Sequence, residues 1–309
     1  MAAIPFVPAL DDVVYGRVEQ VSPLIRRVIA ENPSKYSYRG TGTYIVGHGD
    51  VAVIDPGPAL DSHRDALARA LRGEHLRAIV VTHCHADHSP LAGWLRAETG
   101  APTFAYGPHG AVDDTDDEDD EPDPAAPPGE TIDLDFRPDH SVTDGDSIDG
   151  PGWTLEPLHT PGHTSNHLCV ALREEQALFS GDHVMGWSTT VVSPPDGDMR
   201  AYCDSLQRLL ERPHDRIYWP THGNPVTEPR PFVEAYLAHR IEREAQVLGL
   251  VLDGVGSITD MVGVLYAEVN PDLHRAAGRS VFAHLRKLVD DGRVRVDGPL
   301  SRRSTFLPV

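Results

Sequence analysis

The stretch "VTHCHADHSP", residues 81–90, places three histidines and one aspartate within six positions. The run before it, "HLRAIVV" at 75–81, ends in β-branched and aliphatic residues and reads as a short buried strand. A strand end is a rigid edge, and the loop after it is free to bend around an ion. Residues two apart on an extended segment point the same way, so His83 and His85 face one point. Asp87 and His88 begin the next turn and can face a second ion close by. Cys84, between the two histidines, should face away and act as a small buried residue. The plain alternative is a polar surface loop, but a quartet this dense is unusual on one.

A zinc ion takes about four N, O or S ligands, so this quartet leaves coordination incomplete. The chain supplies more. "HTPGHTSNH" at 159–167 offers His163 in a Gly-bounded turn after "WTLEPL", "FSGDHV" at 179–184 offers Asp182, and "YWPTHGNP" at 218–225 offers His222. Each segment is a strand followed by a loop with a ligand type. Four such loops converging on one end of a sandwich would make a seven-ligand pocket. A set of histidines and carboxylates without thiolate suits Zn, Fe or Mn.

The 309 residues suffice for one large domain with a small appendage. The N-terminus lacks a basic segment followed by an apolar core, so no signal peptide is expected, and no run approaches the roughly 20 apolar residues of a membrane span. Three scattered cysteines argue against a disulfide framework, and the cytoplasm is the expected compartment. The net charge of −20 is uneven. "DDTDDEDDEPD" at 113–123 carries nine acids, whereas residues 271–309 hold eight Arg and Lys against four Asp. Such acidity disfavours binding phosphate backbones over the whole surface, but not through a local basic module.

Strands joined by a "GHGD" hairpin turn are expected within 43–56, a helix over 61–72 capped by Asp61, and another near 89–99 with Trp94 and Leu95 inward. The acidic, Pro-rich insertion at about 111–128 reads as a solvated loop that could shade the site, with an acidic docking segment as the alternative. Strands are expected at 131–136, 153–158, 167–172, 177–180 and 216–220, and a helix near 199–211. This alternation through residue 228 indicates an α/β domain. From 229 a long linker helix precedes a capped helix at Ser257, a helix stopping at Gly292, and the strand pair "RVRVDG" and "STFLPV". That order is a winged helix, so the domains are expected at 1–228 and 229–309.

The set His83-x-His85-x-Asp87-His88, His163, Asp182 and His222 resembles the metallo-β-lactamase superfamily over most of residues 35–228. The resemblance implies a four-layer αβ/βα sandwich with two metals, two zinc ions per chain, at one edge. It implies His83, His85 and His163 on one metal, Asp87, His88 and His222 on the other, and Asp182 bridging. "TPGHTSNH", "FSGDHVMGWSTTVV", "AHRIERE" and "VFAHLRKLVDDGRV" extend the resemblance to the beta-lactamase-like protein 2 group, some of whose members are single-strand endoribonucleases. The acidic insertion departs from that pattern.

Two ions sharing a water lower its pKa and hold the hydroxide as nucleophile, while neutralising charge on a carbonyl or phosphoryl oxygen. Asp87 and Asp182 would be the catalytic carboxylates, Asp87 orienting the water or accepting its proton. Asn166, Thr189 and Thr190 could donate to substrate, and His239 and Arg240 could present a cation. His167 and His183 read as supporting groups, and His63, His75, His109, His140 and His214 as surface histidines. The favoured substrate is single-stranded RNA, bound through the basic C-terminal region, with a homodimer also compatible. The alternative is a thioester hydrolase resembling glyoxalase II, disfavoured because that type ends in a purely helical domain. A secreted β-lactamase and a persulfide dioxygenase rank lower. A non-catalytic nucleic-acid or protein-binding module with a vestigial metal site is disfavoured by the intact ligand set.

Overall fold

A computed structural model describes residues 4–110 and 131–309; the acidic insertion therefore lies outside the described residues. Two sheets face each other. The first runs in chain order from β1 (Val18–Gln20) through β2 (Ile25–Ile29), β3 (Gly42–His48), β4 (Asp50–Ile54), β5 (His75–Val80) and β6 (Thr103–Ala105) to β7 (His140–Ser141). It is antiparallel as far as β4 and parallel from β4 onward. The parallel steps require crossovers, supplied by α1 (Asp61–Ala70) and α2 (Leu91–Thr99). The second sheet comprises β8 (Ile148–Gly150), β9 (Trp153–His159), β10 (Leu168–Leu172), β11 (Ala177–Gly181) and β12 (Ile217–Pro220). The parallel β11–β12 pair is joined through α3 (Met199–Leu210).

Alternate residues of facing strands make the central core, with Tyr44, Val46 and Ile54 from one sheet against Leu155, Val170 and Phe179 from the other. The opposite face of the first sheet packs Ile45, Val53 and Ile79 on Leu67 of α1 and Leu95 of α2. The opposite face of the second packs Cys169, Leu178 and Tyr218 on Tyr202 and Leu206 of α3. These are the four layers of an αβ/βα sandwich.

Helix α4 (Pro229–Leu252) serves two cores, placing Phe232, Val233 and Tyr236 against the second sheet and Val247 and Val251 in a separate C-terminal core. The latter is built with α5 (Ile258–Leu265), α6 (His274–Asp290), β13 (Val294–Val296) and β14 (Phe306–Pro308). Ser257 caps α5, its hydroxyl accepting from Asp260 N–H at 3.1 Å. Helix, helix and strand pair form the winged-helix domain. No helix among the described residues is long and apolar enough to cross a membrane.

Three local readings need correction. Residues 131–136 form no strand: only Ile132 bridges to His85, while Ala86 and Asp133 N–H donate to Thr131 and Cys84 carbonyls. The acids Asp133 and Asp135 turn the chain instead, Asp133 accepting from the Asp135 and Phe136 amides. Asp61 does not cap α1, because it is already the first helical residue, after Leu60. Strands β1 and β2 escape the sequence pattern because Glu19 and Gln20 in one and Arg26 and Arg27 in the other break the apolar run; Arg27 is nevertheless buried, donating to Gly223 O and pairing with Glu19 at 2.9 Å.

Candidate metal centre

Both sheets deliver ligand-bearing loops to one edge: β5 leads into residues 81–90, β9 to His163, β11 to Asp182 and β12 to His222. At the His163 turn, Gly162 has φ +134°, and a Cβ there would fall on the backbone of Tyr202. Only glycine lets this loop lie against α3.

The seven side chains form two groups, His83, His85, His163 and Asp182, and Asp87, His88 and His222, with the donor atoms of each within 4.8 Å of one another. In the first, His85 Nδ1 lies 2.8 Å from His83 Nε2 and 3.2 Å from His163 Nε2. In the second, Asp87 Oδ2 is 3.2 Å from His222 Nε2 and Asp87 Oδ1 is 3.5 Å from His88 Nε2. Asp182 faces both groups: its Oδ2 is 3.8 Å from His163 Nε2 and 3.6 Å from His88 Nε2, and its Oδ1 is 3.5 Å from His222 Nε2.

Asp87 Oδ1, His88 Nε2 and Asp182 Oδ1 are buried without hydrogen-bond partners. Orphaned lone pairs are costly in a protein interior, and a shared divalent cation would satisfy all three. The site fits such ions.

The outward ring nitrogens are anchored. His163 Nδ1 donates to Val191 O at 2.7 Å, His222 Nδ1 to Gly40 O at 3.2 Å, and His88 Nδ1 to Asp55 Oδ2 at 2.8 Å. These bonds leave each Nε2 lone pair turned inward. Thr41 Oγ1 donates to Asp87 Oδ2 at 3.2 Å. Asp55 ties the loops together, its Oδ2 also accepting from Thr82 and Thr221 hydroxyls at 2.8 and 3.0 Å.

Burial, reinforced by the neighbouring histidines, pushes His83 well below its usual range and His85 down to about 3. Burial likewise lowers His163. For His222 burial is outweighed by the Asp182 and Asp87 carboxylates, which raise it to about 10; the same carboxylates hold His88 well up. Burial thus favours neutral rings at His83, His85 and His163, while the carboxylates favour protonation of His88 and His222, which a bound cation would oppose.

Asp55, Thr82, Thr41 and Thr221 escaped the sequence reading. The signal existed for Asp55, which follows the apolar "VAVI" at a strand end beside Pro-Gly, as Asp182 follows "LFSG". His167 and His183 are supporting groups: His167 Nδ1 meets Thr160 Oγ1 at 2.9 Å and its Nε2 accepts from Asp182 N–H, while His183 packs on Tyr202. Cys84 is buried, as expected, with Asn166 Nδ2 only 3.0 Å from its sulfur. His63 and His109 are not surface residues, being 1% and 7% exposed; His75, His140 and His214 are.

Two candidate substrate donors are committed elsewhere. Asn166 is buried and donates to Gly107 O at 3.2 Å, so it braces the Cys84 loop. Thr190 Oγ1 donates to Asp182 O at 2.8 Å and His183 O at 3.0 Å, holding the bridging-side loop. Thr189, His239 and Arg240 line a cleft of about 630 Å³ that also includes Tyr36, Trp187 and Val191. Through Val191, whose carbonyl holds His163, the cleft adjoins the ligand cluster.

Residues 39–222 match the Metallo-beta-lactamase superfamily. The chain belongs to that superfamily. Residues 257–302 of this metallo-beta-lactamase superfamily protein match the Beta-lactamase associated winged helix domain. It is 32% identical over 285 residues to the Beta-lactamase-like protein 2 homolog of Caenorhabditis elegans, covering 90% of this chain and 88% of that protein. It is 31% identical over 289 residues to an Atrochrysone carboxyl ACP thioesterase of Aspergillus chevalieri, covering 90% and 84% respectively. The fold matches a metallo-beta-lactamase family protein of Thermus thermophilus, with TM-score 0.74 at 23% identity over 94% of this chain and 100% of that one. Membership of the superfamily makes the protein a hydrolase with a site suited to divalent metal.

Proposed function

We propose that this chain is a dinuclear metal-dependent thioesterase acting on acyl groups with an apolar, aromatic body. The observation that carries this reading is the cleft beside His163, walled by Phe6, Tyr36, Trp187, Tyr266 and Leu273. Such walls suit a flat aromatic acyl group. The similarity to an ACP thioesterase over 90% of the chain supports it.

His83, His85 and His163 would hold one ion, Asp87, His88 and His222 the second, and Asp182 both. When bound, the ions would make water nucleophilic near neutral pH and neutralise charge developing on the thioester carbonyl oxygen. Asp87, a ligand whose Oδ1 is buried without a hydrogen-bond partner, would orient the water or take its proton. Thr190 holds the backbone of Asp182 in place.

A second reading, hydrolysis of single-stranded RNA, is favoured by a groove of about 550 Å³ in the winged-helix domain lined by Arg275, Arg279, Arg302 and Arg303. Arginines grouped this way suit a phosphate backbone. The deciding experiment offers zinc-loaded protein a naphthoyl thioester of N-acetylcysteamine and a fluorescent single-stranded RNA, with His85→Ala as control. The thioester should be hydrolysed by the parent and not by the variant. RNA cut in a His85-dependent way with the thioester untouched would replace this reading with the second.

A further inference from the structure

Arg240 lies on α4 at the wall of the cleft and is only 3% exposed. Its Nη2 donates to Thr190 O, and its guanidinium stacks over the Tyr202 ring with the carbon 5.1 Å from the centroid. Its Nε is buried without a hydrogen-bond partner, and it forms no ion pair with any carboxylate among the described residues. One turn on, Arg243 is also buried, over the ring of Tyr266 at 4.5 Å, and lines the same cleft. Lys35 is a third cation on its wall.

A buried guanidinium without an anion is expensive, and the usual remedies are a carboxylate partner or a bound anion. Glu244, one turn after Arg240 on the helix, pairs with Lys287 at 2.9 Å. His239, on the same cleft wall, is pushed down to about 4 by burial and by Arg240 and Arg243. It is therefore neutral at pH 7 and offers a hydrogen bond rather than charge. Trp187 Nε1 is a further buried donor without a partner on the same wall.

We propose that the cleft is an anion-anchored acyl pocket, in which Arg240, with Arg243 and Lys35 beside it, pairs with an anionic substituent of an aromatic group lying along Trp187. The inference rests on the thioesterase reading for its placement beside the reacting carbon. It names the substrate class as an aromatic acyl group bearing a carboxylate, or a phosphate on the leaving arm. A neutral acyl group of the same shape would leave the guanidinium unpaired, so it should bind about ten-fold more weakly while remaining a substrate.

The test is calorimetric titration of the full chain, zinc-loaded and again after chelation, with 2-naphthoate, 2-naphthyl phosphate and the neutral 2-naphthamide. At least one anion should bind ten-fold or more tightly than the amide in both states, and Arg240→Gln should erase that advantage. Whichever anion is preferred identifies the acyl or the leaving-arm source. Equal binding of all three by the parent protein, or a preference that vanishes with the metal, would overturn the proposal whether or not the variant folds. Thioester hydrolysis persisting without anion preference removes the anchor alone. Absence of thioester hydrolysis removes the functional reading, while this binding test, made without turnover, still decides the anchor.

Discussion

Asp55 Oδ2 accepts from His88 Nδ1 at 2.8 Å, joining the end of β4 to the ligand loop after β5 inside a fully buried network. The carboxylate also holds the amide and hydroxyl of Thr82 and the hydroxyl of Thr221. It fixes the ring of one ligand and the loops of two others.

Asp55→Asn is the cleanest probe of that role. Asp55 has φ +48°, a region that asparagine tolerates well, so the backbone should survive. The amide cannot accept from every donor, and affinity for the second ion should fall about 10- to 100-fold. Competition against a chromophoric chelator would measure it; an unchanged affinity would remove Asp55 from the account.

Gly162→Ala should destabilise the protein by more than about 2 kcal/mol, through overpacking and an unfavourable φ. The new Cβ would press on the Tyr202 backbone and push His163 from its place. Thermal unfolding and metal content should fall together. A stable variant with full metal content would show that the turn can rearrange.

Burial pushes His63 on α1 down to about 4, and its Nε2 lies 2.8 Å from Thr43 Oγ1. The unfolded chain binds a proton near pH 6.5 that the folded chain refuses until about pH 4. Stability from this site is therefore intact above pH 6.5 and is lost as pH falls from there towards 4, by about 3 kcal/mol in all. Urea unfolding of the parent and of His63→Gln across that range should show the steeper fall in the parent; parallel curves would refute it.

Removing metal should lower the melting temperature, because ions that bind only the folded chain stabilise it by about 4 kcal/mol at a thousand times Kd. Chelation also leaves Asp87 Oδ1 and Asp182 Oδ1 unsatisfied. Scanning calorimetry should show the loss reversed by zinc, and a smaller chelator effect in His85→Ala, which lacks one ligand of the first ion. Insensitivity of the parent to chelator would argue that the cluster holds no ion.

The ligands were legible because chemistry dictates their types and because each stands at the end of an apolar strand. The winged-helix order was legible for a similar reason, from capped apolar helices followed by two short strands. What escaped depended on long-range contacts. Asp55 meets His88 across 33 positions, and Thr221 reaches Asp55 across 166, separations that no local pattern reveals. Arginine-bearing β2 hid its burial behind charge, because its partners Glu19 and Gly223 lie on other segments. Asn166 and Thr190 have the right donors for substrate binding, and only packing shows that those donors are already engaged.

The most direct test is a zinc titration of metal-free protein, following naphthoyl thioester hydrolysis and bound metal together. Activity should rise to a plateau at two zinc ions per chain, with none in His85→Ala. Full hydrolysis without bound metal, or two ions bound with no thioester cleaved, would contradict a dinuclear thioesterase.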